Sequence, residues 1–270
     1  MSSTEALERR RADLERISAA LDAAVEALGV FTPGAISASK KAGGSPVTEA
    51  DHAVNEVLLS LLPQTGEGWL SEETADDPAR LSCRRVWVVD PLDGTREFVE
   101  GLPEWCVSIG LVEDGEAVAG GIVNPETGET IVGSLETGVT LNGRPVRASR
   151  RPDLAGAVVL ASRSEVRRGE WAPFEGAGFT VEPLGSVAFK LALVAAGKVD
   201  ATWTLVPKND WDIAAGVALV NAAGGKVYQP GGARCRFNRP TTLLPGLIAC
   251  GPALPGQIDA AIASRAGRKR

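Results

Sequence analysis

Val86-Trp87-Val88-Val89-Asp90-Pro91-Leu92-Asp93-Gly94-Thr95 is the stretch from which the rest of the chain can be read. Its first four residues are an apolar run of β-formers, the pattern of a buried strand. The run ends in two carboxylates three residues apart, in a turn built by a proline and a glycine. Carboxylates at the end of a buried strand lose hydration and repel each other, so a cation should compensate them. Hard divalent cations take oxygen ligands, and Mg²⁺ is commonly held by a few carboxylates, waters and phosphate oxygens. The stretch therefore suggests Mg²⁺-assisted phosphate chemistry. A surface turn with both aspartates solvated fits Asp90 to Thr95 equally well, and the rest of the chain has to decide.

The 270 residues suffice for one large domain or two tightly joined halves, and 44% hydrophobic with 23% charged residues is ordinary for a soluble globular protein. A net charge of −6 argues against a nucleic-acid polymer as the main partner. The N-terminus lacks the apolar core of a signal peptide, and no run approaches membrane-spanning length. Cys83, Cys106, Cys235 and Cys250 are widely spaced with no CxxC pair, which excludes the usual zinc patterns and fits reduced thiols in a cytoplasmic protein. His52 is the single histidine, so a catalytic triad or histidine-rich metal site would depend on that one residue. A metal bound by carboxylates fits the inventory better.

Ser2 and Glu5 form a potential capping box ahead of Leu7, Leu14, Ile17, Leu21, Val25 and Leu28, whose spacing predicts a long amphipathic helix ending near Gly29. Residues 32–46, with two prolines and three glycines, read as a mobile loop. Thr48, with Asp51 three residues on, predicts the start of a second helix that Pro63 stops. Beyond Asp90, strands are expected at 107–112, 119–123, 130–133 and 139–141, joined by turns such as Glu113-Asp114-Gly115 and Asn142-Gly143. Such a run suggests antiparallel pairing. Arg150 to Asp153 marks a plausible boundary between an N-terminal α+β half, 1–150, and a C-terminal α/β half, 151–270. The latter should hold strands at 157–160 and 201–205 and helices at 187–196 and 212–223. The basic end, Arg265 to Arg270, reads as a frayed tail.

Acids thus stand at element ends throughout: Asp51, Glu72-Glu73, Asp90 with Asp93, and Asp212. Helix starts favour anionic groups, so any one of these has an ordinary explanation, and Asp51 serves as a cap whether or not it also acts in catalysis. Several together, with little histidine, are what a multi-metal phosphatase needs.

Four blocks in order carry a resemblance: Ser45-Pro46-Val47-Thr48-Glu49-Ala50-Asp51, Ser71-Glu72-Glu73, Asp90-Pro91-Leu92-Asp93-Gly94-Thr95 and Trp211-Asp212-Ile213-Ala214-Ala215-Gly216. Over roughly residues 10 to 250 the chain resembles the inositol monophosphatase superfamily of Mg²⁺-dependent, Li⁺-sensitive phosphatases. The resemblance implies an α+β fold, a layered αβαβα sandwich of the inositol monophosphatase/fructose-1,6-bisphosphatase type, binding two or three Mg²⁺ ions. By the same resemblance, Glu72, Asp90, Asp93 and Asp212 are metal-ligand carboxylates and Leu92 ligates through its backbone carbonyl. Asp51 and Thr95 match the pair that activates the attacking water in the nucleotidase branch, Thr95 relaying its proton to Asp51. Glu73 is expected behind the ligands rather than among them. Gly94 has no side chain to block a phosphate, and the N–H groups after it suit a phosphate oxygen.

The resemblance implies that the substrate is a small phosphate ester, and its site is expected to use Glu72, Leu92, Asp93, Gly94, Thr95, Ser186, Lys190 and Asp212. Arg96-Glu97-Phe98, Ser162-Arg163-Ser164 and Gly185-Ser186-Val187-Ala188-Phe189-Lys190 are similar to segments of bacterial 3′(2′),5′-bisphosphate nucleotidases of the CysQ type. That likeness implies hydrolysis of the 3′-phosphate of adenosine 3′,5′-bisphosphate to AMP. The alternative is an inositol-1-phosphate phosphatase. Lys190 would meet a second phosphate or simply snorkel from its helix; Ser162 and Ser186 also read as caps or turns. Two departures stand out: Gly43 replaces a frequent aspartate in the Lys41–Pro46 loop, bearing on any third metal, and Pro207-Lys208-Asn209-Asp210 differs from the usual nucleotidase stretch. A monomer or homodimer is expected.

Overall fold

The computed structural model describes residues 3–40 and 46–267. Ser2 of the expected capping box, Lys41, Gly43, Gly44 and Ser45 of the loop, and the last three residues of the basic tail lie outside the described residues.

Seven strands form the larger sheet: β1 Glu67–Ser71, β2 Arg85–Asp93, β3 Cys106–Glu113, β4 Glu116–Asn124, β5 Glu129–Ser134, β6 Gly138–Leu141 and β7 Arg144–Val146. They lie in chain order. The meander is antiparallel as expected, and its turns at Asp114-Gly115 and Asn142-Gly143 place both central residues at positive φ. The exception is β1, which runs parallel to β2 with Ser71 opposite Val89. Parallel neighbours end at the same edge of a sheet. Glu72 therefore emerges beside Asp90, and its N–H donates to Val89 O at 3.3 Å.

The smaller sheet has five strands, β8 Val158–Ser162, β9 Thr180–Leu184, β10 Ala201–Thr204, β11 Lys226–Tyr228 and β12 Leu247–Cys250, in the order β9-β8-β10-β12-β11. It is mixed, with β8 parallel to both β9 and β10.

Among the described residues seven α-helices complete the layers: α1 Ser3–Leu28, α2 Glu49–Leu61, α3 Thr95–Val99, α4 Arg163–Arg167, α5 Val187–Ala195, α6 Asp210–Ala222 and α7 Pro255–Gly267. The amphipathic α1 buries Ile17, Ala20, Leu21, Ala24 and Leu28, and with Val54, Leu58 and Leu62 at α2 covers one face of the larger sheet. α5 and α6 are apolar nearly all round because both lie between the two sheets. Leu254 and Ile258 at α7 join Trp171, Phe174 and Trp203 on the outer face of the smaller sheet. The order is helix, sheet, helix, sheet, helix, an αβαβα sandwich. Part of the expected tail is thus the end of α7, which extends to Gly267.

The seat of α6 decides where the site forms. Gly110 and Gly120 are cross-strand partners. A Cβ on either would come within 2.8 or 2.6 Å of backbone atoms of Ala215. Their bare backbone lets α6 lie directly on the larger sheet, which carries its first turn to the ends of β1 and β2.

Candidate metal centre and active site

Three carboxylates converge. Glu72, Asp90 and Asp212 each offer an oxygen within 4.8 Å of the others. Glu72 follows β1, Asp90 lies near the end of β2, and Asp212 stands in the first turn of α6. Asp212 is the third residue of its helix rather than the first: Asn209 caps α6, and Asp212 Oδ2 accepts the Asn209 N–H at 3.0 Å. The strand of Asp90 is also longer than its apolar run suggests, continuing through Asp93. The pairing with β3 shifts between Asp90 and Asp93, an irregularity that re-aims the two side chains.

Burial, followed by the charges of Glu72, Asp93, Asp212 and Asp51, pushes Asp90 well above the usual carboxylate range. Burial and the charges of Asp93 and Glu72 push Asp212 up to about 8. This is the signature of like charges gathered without enough cation. An all-oxygen donor set of one buried and two half-buried acids suits a hard divalent ion such as Mg²⁺ and supplies neither nitrogen nor sulfur for a softer one.

Asp93 stands outside the tight triplet. Its Oδ2 accepts Ser186 Oγ–H at 2.7 Å and Ala188 N–H at 2.5 Å. Burial still raises its pKa, against those two hydrogen bonds and the charge of Lys190. Ser186 caps α5 from a positive φ of 51° and accepts the Phe189 N–H at 3.0 Å, so its hydroxyl orients Asp93.

Asp51 and Thr95 meet as expected. Thr48 N–H and Oγ1–H donate to Asp51 Oδ2 at 2.8 and 2.6 Å, completing the capping box. Thr95 Oγ1 lies 3.0 Å from Asp51 Oδ1 and 3.0 Å from Leu92 O. One hydroxyl proton serves one acceptor at a time. Leu92 points its side chain into the core, leaving its carbonyl for the site.

Gly94 caps α3 at φ 100°. The closest demand on it comes from the protein: a Cβ would lie 2.7 Å from Glu104 O and 3.0 Å from Trp105 Cα. The missing side chain makes room for backbone, a different reason from the one the sequence suggests.

Lys190 is the clearest departure. It lines the cleft but is only 5% exposed. Its Nζ donates to Leu184 O, Gly185 O and Ser186 O at 3.1, 3.1 and 2.7 Å. An ammonium has three donors, so none remains for a second phosphate. Burial, against the charge of Asp93, lowers its pKa to about 8.

The acids line a cleft of about 280 Å³ whose other walls include Arg96, Arg163, Arg167 and Lys208. Arg163 is paired with Glu104, whereas Arg96, Arg167 and Lys208 have no acid partner among the described residues. Arg167 escaped the sequence reading, since only the placement of α4 beside the cleft distinguishes it from any exposed arginine. Phe98, between these cations in sequence, is a core residue stacked edge-on against Trp105.

Comparisons with known proteins identify the family and the fold. The model of the inositol monophosphatase family matches residues 9–269. The inositol-1-monophosphatase of Mesorhizobium japonicum is 36% identical over 203 residues, covering 71% of this chain and 75% of its own. The solved Thermotoga maritima IMPase superposes with a TM-score of 0.81 at 26% identity, covering 97% of this chain and 99% of that one. CysQ from Bacteroides thetaiotaomicron, described as a bacterial member of the inositol monophosphatase family, gives 0.74 at 28% identity, covering 89% and 97%.

Proposed function

The chain belongs to the inositol monophosphatase family, and from that premise we propose a Mg²⁺-dependent phosphomonoesterase whose preferred substrate carries a second anionic group. Adenosine 3′,5′-bisphosphate, cleaved at its 3′-phosphate to AMP and phosphate, is the candidate. The observation that carries this reading is the pairing, in one cleft, of the acid triplet with the unpaired cations Arg96, Arg167 and Lys208. Those cations take over the part that the sequence suggests for Lys190.

Glu72, Asp90 and Asp212 would hold the metal, joined by Asp93 through its Oδ1 and by the Leu92 carbonyl, whose second lone pair is left over by Thr95. When bound there, Mg²⁺ supplies Lewis-acid chemistry, acidifying water and neutralising phosphate charge. Thr95 Oγ takes the proton of the attacking water as it passes its own to Asp51 Oδ1, an acceptor already fixed by the cap of α2. Ser186 keeps Asp93 in place. No helix among the described residues is long and apolar enough to cross a membrane. Four free thiols, three of them buried, support a cytoplasmic location.

A second reading, inositol 1-phosphate, is favoured by the relatives named inositol monophosphatases and by the commitment of Lys190 to backbone carbonyls. Phosphate release from adenosine 3′,5′-bisphosphate, inositol 1-phosphate and fructose 1,6-bisphosphate under identical Mg²⁺ separates the two. The first substrate should be fastest, and millimolar Li⁺ should inhibit where equal Na⁺ does not. Arg167→Ala should raise KM on the bisphosphate by roughly tenfold, the worth of a charge-assisted contact, and leave inositol 1-phosphate unaffected. A parent that prefers inositol 1-phosphate replaces the first reading with the second.

A further inference from the structure

Glu104 lies between α3 and β3, on the half of the chain that carries Asp90 and Asp93. Its side chain is 13% exposed and reaches the other half. Oε2 accepts the Gly185 N–H at 2.6 Å and the Arg163 Nε–H at 3.1 Å, and Oε1 pairs with Arg163 Nη2. Gly185 immediately precedes Ser186, whose hydroxyl, with the Ala188 N–H, holds Asp93 Oδ2. The turn from β9 into α5, whose carbonyls Lys190 holds from α5 itself, is thus also gripped from the larger sheet's side, by Asp93 and by Glu104. The grip has a fixed base, because the Glu104 carbonyl packs against Gly94, the residue after Asp93. One residue is registered by its backbone to the acid-bearing turn and by its carboxylate to the turn that orients the acid.

We propose that Glu104 is a positioning residue for the metal centre: its carboxylate holds the Gly185–Ser186 turn where Ser186 and Ala188 orient Asp93. The inference rests on the Mg²⁺ reading above. An ion pair that merely ties the two sheets together would lower stability and leave metal affinity alone. A positioning residue changes metal affinity itself, since groups that orient ligands typically contribute about 10–100-fold to binding.

Mg²⁺ binding by calorimetry, thermal unfolding, and phosphate release against Mg²⁺ concentration should be compared for the parent, Glu104→Ala and Glu104→Gln. Glu104→Ala should weaken Mg²⁺ binding about tenfold, the low end of that range because Glu104 acts through one intervening residue. Half-saturating Mg²⁺ for phosphate release should rise by the same factor, with kcat at saturating Mg²⁺ little changed. Glu104→Gln retains an acceptor for the Gly185 N–H and should restore most of the affinity. Parental Mg²⁺ binding in folded Glu104→Ala overturns the proposal, whatever its unfolding temperature. Equal loss in Glu104→Gln also overturns it, by showing that the charge on Arg163 matters rather than the grip on the turn. A parent protein that binds no Mg²⁺ would instead bring down the proposed function and this inference with it, an outcome the parental titration alone distinguishes.

Discussion

The strands β1 and β2 carry charged residues at both ends, and the two ends are in opposite electrostatic states. Where the strands begin, Glu67 stands opposite Arg85. Its carboxylate accepts from Arg16 Nη2 at 2.6 Å, Arg85 Nε at 2.9 Å and Trp87 Nε1 at 2.9 Å. Nearby, Arg10 bridges Asp13 and Glu113, each at 3.1 Å. Burial alone would raise Glu67, but hydrogen bonds from Arg16, Trp87 and the Gln64 N–H, with the Arg16 charge, hold it at about 2. Where the strands end, Glu72 and Asp90 meet Asp212, and the pKa values of Asp90 and Asp212 move the other way. The same sheet neutralises its acids with arginines at one end and leaves them in excess at the other. Buried carboxylates without enough counter-charge are costly, so the deficit supports the proposal that a cation from solution binds here.

The largest test of this contrast is Asp90→Asn. Phosphate release should fall by at least about a hundredfold, since even indirect losses reach that range. The Mg²⁺-free protein should at the same time melt higher, because one repelling charge is gone. A lower melting temperature without Mg²⁺ would break the contrast. Thr95→Ala sharpens it by separating proton transfer from charge balance. It should reduce kcat about a hundredfold, the lower range for general acid–base groups, while the stabilisation produced by Mg²⁺ stays at the parental value in a thermal scan.

At the arginine-rich end, Glu67→Gln should cost about 3 kcal/mol of stability at neutral pH, from the depression of its pKa from 4.5 to about 2. The native state there binds its proton less readily than the unfolded chain. The contribution is therefore complete above pH 4.5 and is lost as pH falls towards 2. Denaturant unfolding of parent and variant should converge over that window, and a difference independent of pH would assign the effect to packing. The smallest change is expected for Arg84→Ala. Arg84 is 64% exposed and reaches Glu113 and Asp114 from the rim, and such pairs are worth about 0–1 kcal/mol. A larger loss would show that the rim belongs to the buried network.

Much of the site was legible because it is written in local chemistry. Thr48 and Asp51 announce a capping box in four residues, and the box is there. The Asn142-Gly143 turn needs two positive φ angles from its own residues and has them. Glu72, Asp90 and Asp212 are acids at element ends, and those ends converge. Lys190 shows the limit: its place in the cleft wall was legible, and its hydrogen-bond partners were not. The carbonyls that absorb its three donors belong to the same turn in which Ser186 takes a positive φ and reaches Asp93.

The sequence by itself determined many of the elements, the inventory of oxygen ligands and the family, because caps, turns and apolar periodicity depend on residues a few positions apart. Tertiary structure alone decided which groups meet. The parallel pairing of β1 with β2 put Glu72 beside Asp90, and the bare backbone of Gly110 and Gly120 admitted α6 with Asp212. Glu104, silent in the sequence, reached Gly185 and Arg163, 81 and 59 positions further along the chain. These encounters depend on how closely separate backbones can approach, and no short-range pattern encodes that distance.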